Sequence, residues 1–137
     1  MRKPYASKQP LGEEGYRVVG AAMEVYNDLG FGLSEEVYQE ALEREMADQS
    51  IPFDAQRRLS VIYKGKPLQK VFVPDLLVFD QIIVELKAVK ELLPEHDAQL
   101  MNYLRVTKKP VGYLINFGKP GALDWKRFLL SEYLHVE

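Results

Sequence analysis

The sequence predicts an α/β domain with a mixed β-sheet flanked by helices, and three observations lead there. Two stretches of helical periodicity open the chain, and a region dense in Val, Ile, Leu and Phe runs from Phe53 to Lys87. A third helical stretch then separates that region from one further strand. A helix joining two strands of one sheet makes them parallel, whereas tight turns make their neighbours antiparallel.

Residues 1–12 combine Pro4, Pro10 and Gly12 with three basic side chains and no periodicity, which predicts a mobile arm ahead of a single domain over 13–137. Tyr16, Val19, Ala22, Met23, Tyr26 and Leu29 recur at helical spacing, and Gly30 stands where a left-handed C-terminal cap belongs. Ser34 can cap a second helix with Val37, Tyr38, Ala41, Leu42 and Met46 on its apolar face. Glu35 and Glu36 fall in its first turn, where the helix dipole favours anions. Phe53–Tyr63 reads as strand, Lys64-Gly65-Lys66-Pro67 as a turn, and Leu68–Phe79 as a second strand with Pro74 at an edge or an irregular point. A turn at Asp80-Gln81 leads into Ile82–Lys87, which completes a three-stranded antiparallel meander. Pro94 opens a helix reaching about Thr107, and Val111–Phe117 follows as the parallel strand. Trp125, Phe128 and Leu129 form one last packed segment.

Composition narrows the function. At 137 residues and 47% hydrophobic, the chain can bury a core without metal or disulfide support. Its 18 Lys+Arg against 20 Asp+Glu give a net charge of -2, which excludes a wholly electrostatic nucleic-acid binder of the histone type. The absence of Cys excludes a disulfide framework, a Cys-based zinc site and a thiol nucleophile. No apolar stretch follows the basic start, and Val71–Val78 is interrupted by Pro74 and Asp75, so neither a signal peptide nor a membrane span is expected. The expected location is cytoplasmic.

The most informative residues are Asp75, Glu85 and Lys87. Strand period two puts Glu85 and Lys87 on one face, and register decides whether Asp75 joins them. A two-residue loop at Asp80-Gln81 pairs Leu76 with Glu85 and sends Asp75 to the other face. A three-residue loop over Asp80–Ile82 pairs Leu77 with Glu85 and Asp75 with Lys87, and all three converge. Converging, two carboxylates offer hard oxygen ligands for Mg²⁺, and a neighbouring ammonium can orient water or stabilise a phosphodiester transition state. Two carboxylates sharing a site also repel, so at least one should have a raised pKa unless Lys87 offsets it. The competing reading is a cross-strand ion pair with no chemistry. On the later helix His96, Gln99 and Tyr103 share one face, as the lining of a site or as the polar rim of a packed interface with Leu100 and Leu104.

Taken together, Gly32-x-x-Glu35-x-x-Tyr38, Pro74-Asp75, Glu85-Leu86-Lys87, His96-x-x-Gln99-x-x-x-Tyr103 and Gly112-Tyr113-Leu114-Ile115-Asn116-Phe117-Gly118 resemble, in order, the motifs of the GxxExxY proteins of the PD-(D/E)xK nuclease superfamily. The resemblance covers about residues 13–129 and implies a restriction-endonuclease-like core. It implies that Asp75 and Glu85 bind Mg²⁺ or Mn²⁺, with Glu35 supporting the metal site from its helix. Lys87 would act on the attacking water, and Gln99 with Tyr103 would complete the rim. The implied activity is metal-dependent phosphodiester hydrolysis of nucleic acid; the resemblance supplies no substrate, and DNA is expected ahead of RNA. A non-catalytic nucleic-acid-binding or regulatory module retaining the fold is the alternative, and metal-dependent turnover separates the two. Metal-free Ser–His or paired-carboxylate hydrolysis has little support, because the histidines are His96 and His135 and no Ser sits in a nucleophile turn.

Charge is unevenly spread. Residues 57–70 hold Arg57, Arg58, Lys64, Lys66 and Lys70 without an acid, either to meet a phosphate backbone or to keep an exposed hairpin from pairing edge to edge. Arg105, Lys108 and Lys109 could extend that patch or simply suit a helix C-terminus. Residues 13–54 carry eleven acids against Arg17 and Arg44, so that face should turn away from nucleic acid. No pattern calls for a membrane partner; a homodimer is compatible with the sequence but not encoded in it.

Overall fold

A computed structural model describes residues 9–134. Helices α1 (Gly12–Leu29) and α2 (Glu35–Asp48) come first, then strands β1 (Phe53–Asp54), β2 (Leu59–Tyr63), β3 (Lys66–Phe72), β4 (Leu76–Val78) and β5 (Ile82–Lys87). Helix α3 (Pro94–Thr107) crosses to β6 (Val111–Asn116), and β7 (Asp124–Leu129) and a 3-10 turn at Ser131–Tyr133 follow.

Five strands form a mixed sheet in the order β1-β4-β5-β6-β7, and β2 and β3 form a separate hairpin. β5 and β6 run parallel across α3, and the other neighbours are antiparallel. The α/β class, the parallel pair and the flanking helices are as the sequence predicts. Leu68–Phe79, however, is two strands. Pro74 has no amide hydrogen to give a ladder, so the chain breaks at Val73–Asp75 and passes from the hairpin into the main sheet. The expected three-stranded meander is therefore β1, β4 and β5, with the hairpin inserted between the first two. The segment around Trp125 and Phe128 is an edge strand paired along β6.

Of the expected N-terminal arm, residues 1–8 lie outside the described residues. Gln9 to Leu11 form a turn into α1, with the Gly12 amide donating to Gln9 O and the Arg127 guanidinium donating to Pro10 O.

Side-chain alternation assigns the two layers. Leu76, Val78, Ile82, Val84 and Leu86 pack on Val18, Ala21, Ala22 and Val25 of α1 and Tyr38, Leu42 and Met46 of α2. Leu77, Ile83 and Leu114 on the other face meet Leu100 and Leu104 of α3 and Leu59 and Phe72 of the hairpin. Each fully buried aliphatic side chain contributes about 1.5–3 kcal/mol.

The buried stripe of α1 is rotated from the expected one, leaving Tyr16 and Met23 exposed. The helix comes so close to β6 that a Cβ on Gly15 would lie 1.8 Å from the Tyr113 hydroxyl. Small residues therefore face the sheet, and large ones are displaced to the rim.

Candidate active site

The turn between β4 and β5 sets the register that matters. Val78 pairs with Ile82, so the connection is three residues, Phe79–Gln81. Phe79 (φ 53°) and Asp80 (φ 61°) are both left-handed, as a primed hairpin turn requires, and the Gln81 amide closes the turn on Val78 O at 3.2 Å. A left-handed Phe is costly. It is held by its amide on Pro52 O at 2.9 Å and by its ring under the Arg17 guanidinium.

With Leu76 opposite Val84, Asp75 falls opposite Glu85. The odd connection thus puts Asp75, Glu85 and Lys87 on the α3-side face. The partner of Asp75 is Glu85, not Lys87 as the Asp80–Ile82 loop would have it.

Beyond the last β4 pair, side chains replace the ladder. The Asp75 amide donates to Glu85 Oε2 at 2.8 Å, and the Leu86 amide donates to Asp75 Oδ2 at 2.7 Å. Gln39 Nε2 on α2 donates to Asp75 O at 2.9 Å. Each carboxylate is thereby oriented by one oxygen, while its second oxygen has no hydrogen bond among the described residues.

Burial pushes Asp75 above the usual carboxylate range, with the Leu86 amide and the Lys87 charge opposing. Glu85 is pushed up to about 7, first by burial and then by repulsion from Asp75. The Asp75 amide and Lys87 pull it back, and Glu35 on α2 adds a further upward push. Lys87 forms no ion pair with either carboxylate. The cross-strand ion pair that would explain these charges without chemistry is therefore absent among the described residues.

The other expected residues divide. Glu35 is exposed in the first turn of α2, close enough for Glu85 to feel its charge. Ser34 takes the N-cap position without a side-chain hydrogen bond. With Glu36, Glu40 and Glu43, Glu35 lines a cleft of about 490 Å³ that ends on Pro74 and Asp75. Tyr38 is buried, donates to Gly30 O at 2.6 Å and stacks on Phe117 at 4.5 Å, which makes it a support for the α1–α2 turn. His96 accepts the Leu93 amide through Nδ1 at 3.0 Å and so closes the start of α3. Gln99 is exposed, and the Tyr103 ring stacks on Phe72 at 3.7 Å; no hydrogen bond joins either to the carboxylates. Among the described residues no three His, Asp or Glu side chains are grouped closely enough to hold a metal ion.

Asn116, part of the Gly112–Gly118 motif but without an expected role of its own, is a positioning residue. Fully buried beside Lys87 on β6, it accepts the Val89 and Gly118 amides at 2.9 and 3.0 Å and donates to Val89 O at 2.8 Å. A Cβ on Gly118 would lie 2.3 Å from Val89 O, so the segment leaving Lys87 is clamped against backbone alone. An isolated Asn between Ile115 and Phe117, in an otherwise apolar strand, was the available signal.

A cavity of about 500 Å³ lies between α1 and the Tyr113–Trp125–Arg127 side of the sheet and shares no lining residue with the cleft. No helix among the described residues is long and apolar enough to cross a membrane.

Comparison with curated proteins returns no match. Among solved structures the chain is similar to SSO0001, with a TM-score of 0.53 at 17% identity over 69% of this chain; it spans 50% of that one. It is also similar to an alkaline exonuclease, LHK-Exo, from Laribacter hongkongensis, with a TM-score of 0.51 at 14% identity over 85% of this chain and 70% of that one. At these identities the likeness is one of fold. The family description that matches covers residues 12–128, the span holding both sheet layers and every charge of the β4–β5 site, and by it the chain belongs to the PD-(D/E)XK nuclease superfamily.

Proposed function

We propose that this chain is a metal-dependent phosphodiesterase acting on nucleic acid, with DNA the first substrate to test and RNA the second. The observation that carries the reading is the pair Asp75 and Glu85. The two carboxylates face each other across adjacent strands, each oriented by a backbone amide and each with one oxygen left over, and Lys87 stands beside them unpaired. That donor set fits a divalent cation such as Mg²⁺ or Mn²⁺. Hard oxygens suit it, and its charge would offset the burial that holds both groups above their ordinary pKa and the repulsion that adds to it at Glu85.

Asp75 and Glu85 would hold the ion, and Glu35 would add negative charge from the start of α2. When bound, the cation would supply Lewis-acid activation of water and charge neutralisation at the phosphoryl group. The chain's own residues do the rest. The Leu86 and Asp75 amides keep the carboxylates in place before substrate arrives. The Lys87 ammonium orients the attacking water and stabilises negative charge as it develops on phosphate. Gln99 and Tyr103, on the helix covering this face, form the rim that substrate passes.

Purified protein is incubated with single-stranded, duplex and branched DNA and with RNA, in Mg²⁺, Mn²⁺ or chelator. Cleavage that needs the metal and is lost in Asp75→Asn is expected. Activity of Asp75→Asn equal to wild type overturns the mechanism, and binding without turnover on any substrate marks a non-catalytic module instead.

A further inference from the structure

The β2–β3 hairpin stands apart from the main sheet, and its two ends differ. Its base is held: Leu59 and Phe72 are buried on the α3 side, and Phe72 stacks on Tyr103. Its far half, residues 63–70, is exposed throughout, carries Lys64, Lys66 and Lys70, and holds no acid. Between the pairs Ser60–Val71 and Ile62–Pro67 one residue of β2 faces three of β3, a bulge that twists the ribbon beside the exposed Lys70.

Two cations pair with acids. Lys126 pairs with Asp97 at 2.9 Å and Arg57 with Asp80 at 3.1 Å. Among the described residues Arg58, Lys64, Lys66 and Lys70 form no ion pair, and Lys64 lies over the Tyr63 ring at 5.5 Å. Like charges gathered on one arm repel until an anion meets them. The opposite flank of the site is the cleft of Glu35, Glu36, Glu40 and Glu43. A polyanion reaching Asp75 is thus repelled on one side and attracted on the other. The hairpin also runs directly into the site through Val73 and Pro74. Lys70 is five residues from Asp75, at most ~17 Å along an extended chain. That is about five base-pair steps of duplex.

We propose that the β2–β3 hairpin is the arm that grips nucleic acid by its phosphates, through Arg58, Lys64, Lys66 and Lys70, so that the strand leaves the Asp75–Glu85 site along the hairpin and not across α2. The inference rests on the nucleic-acid reading above. Tyr63, 58% exposed at the tip, is placed to stack on an unpaired base.

Binding of a fluorescein-labelled 30-nucleotide DNA, single-stranded and duplex, is followed by anisotropy between about 50 and 200 mM NaCl, with Ca²⁺ in place of Mg²⁺. The quadruple variant Arg58→Gln, Lys64→Gln, Lys66→Gln, Lys70→Gln should bind roughly thirtyfold or more weakly at the lowest salt, with the slope of log affinity against log salt reduced by about 3. Its melting temperature should not change, because all four side chains are exposed. Since the chain has no Cys, Lys66→Cys and Glu40→Cys can each carry one photo-crosslinker; the first should join the DNA and the second should not. Wild-type affinity and slope in the quadruple variant, or crosslinking from position 40 alone, overturns the arm. A wild-type protein that binds neither DNA nor a labelled 30-nucleotide RNA overturns the nucleic-acid reading itself, a result distinct from either.

Discussion

Replacing Glu85 with Gln should stabilise the protein at neutral and alkaline pH while abolishing cleavage. The Glu85 carboxyl is held at about 7 instead of 4.5, because burial and Asp75 both oppose its charge. Between pH 4.5 and about 7 the folded chain therefore binds more protons than the unfolded chain, and stability falls as pH rises through that window. Above it the full cost is present, about 3 kcal/mol for a carboxyl held at about 7 instead of 4.5. Gln keeps an oxygen for the Asp75 amide and cannot ionise. Glu85→Gln should match wild type near pH 4.5 and exceed it by about 3 kcal/mol above pH 7, roughly 10 °C in melting temperature for a chain of this size. Thermal unfolding by circular dichroism in chelator, in half-unit pH steps from 4.5 to 8.5, reads the effect directly. A difference in melting temperature that stays constant across that range refutes the reasoning. Stability held back at a site where the charge is wanted is the expected trade between folding and function.

Asp75→Asn and Lys87→Ala should each lower metal-dependent cleavage roughly a hundredfold or more with the fold intact, measured as turnover beside melting temperature. Glu35→Gln acts from another element and should cost about 10–100-fold, while lowering the pH at which Glu85 titrates, which NMR of the carboxyl carbon would follow. Asn116→Ala leaves the Val89 amide, the Val89 carbonyl and the Gly118 amide without their partner, and should destabilise by about 3 kcal/mol in urea unfolding. Tyr38→Phe keeps the stack on Phe117 but loses the bond to Gly30 O, and should cost about 1–2 kcal/mol in the same assay.

Much of the fold was legible because it rests on local periodicity. Pro94 opening α3, the glycine after α1 and the parallel β5–β6 pair across the helix are short-range signals whose physics does not wait for the rest of the chain. The candidate site residues were legible in the same way, since Asp75, Glu85 and Lys87 are charges where burial is otherwise the rule. Less legible were the break at Val73–Asp75, which sends one apparent strand into two sheets, and the stripe of α1, which small residues claim only because Tyr113 lies beneath.

The sequence by itself determined which residues carry charge, how often apolar side chains recur, and hence the α/β class and the candidate site residues. Register belonged to the tertiary structure. Phe79-Asp80-Gln81 contains no Gly or Asn to announce a left-handed turn, and both loop lengths were open until Pro52 O took the Phe79 amide and Arg17 covered its ring. Those partners lie 27 and 62 residues away in the chain, so only folding brings them there. One residue of slip would have reversed every side chain of β4 and parted Asp75 from Glu85.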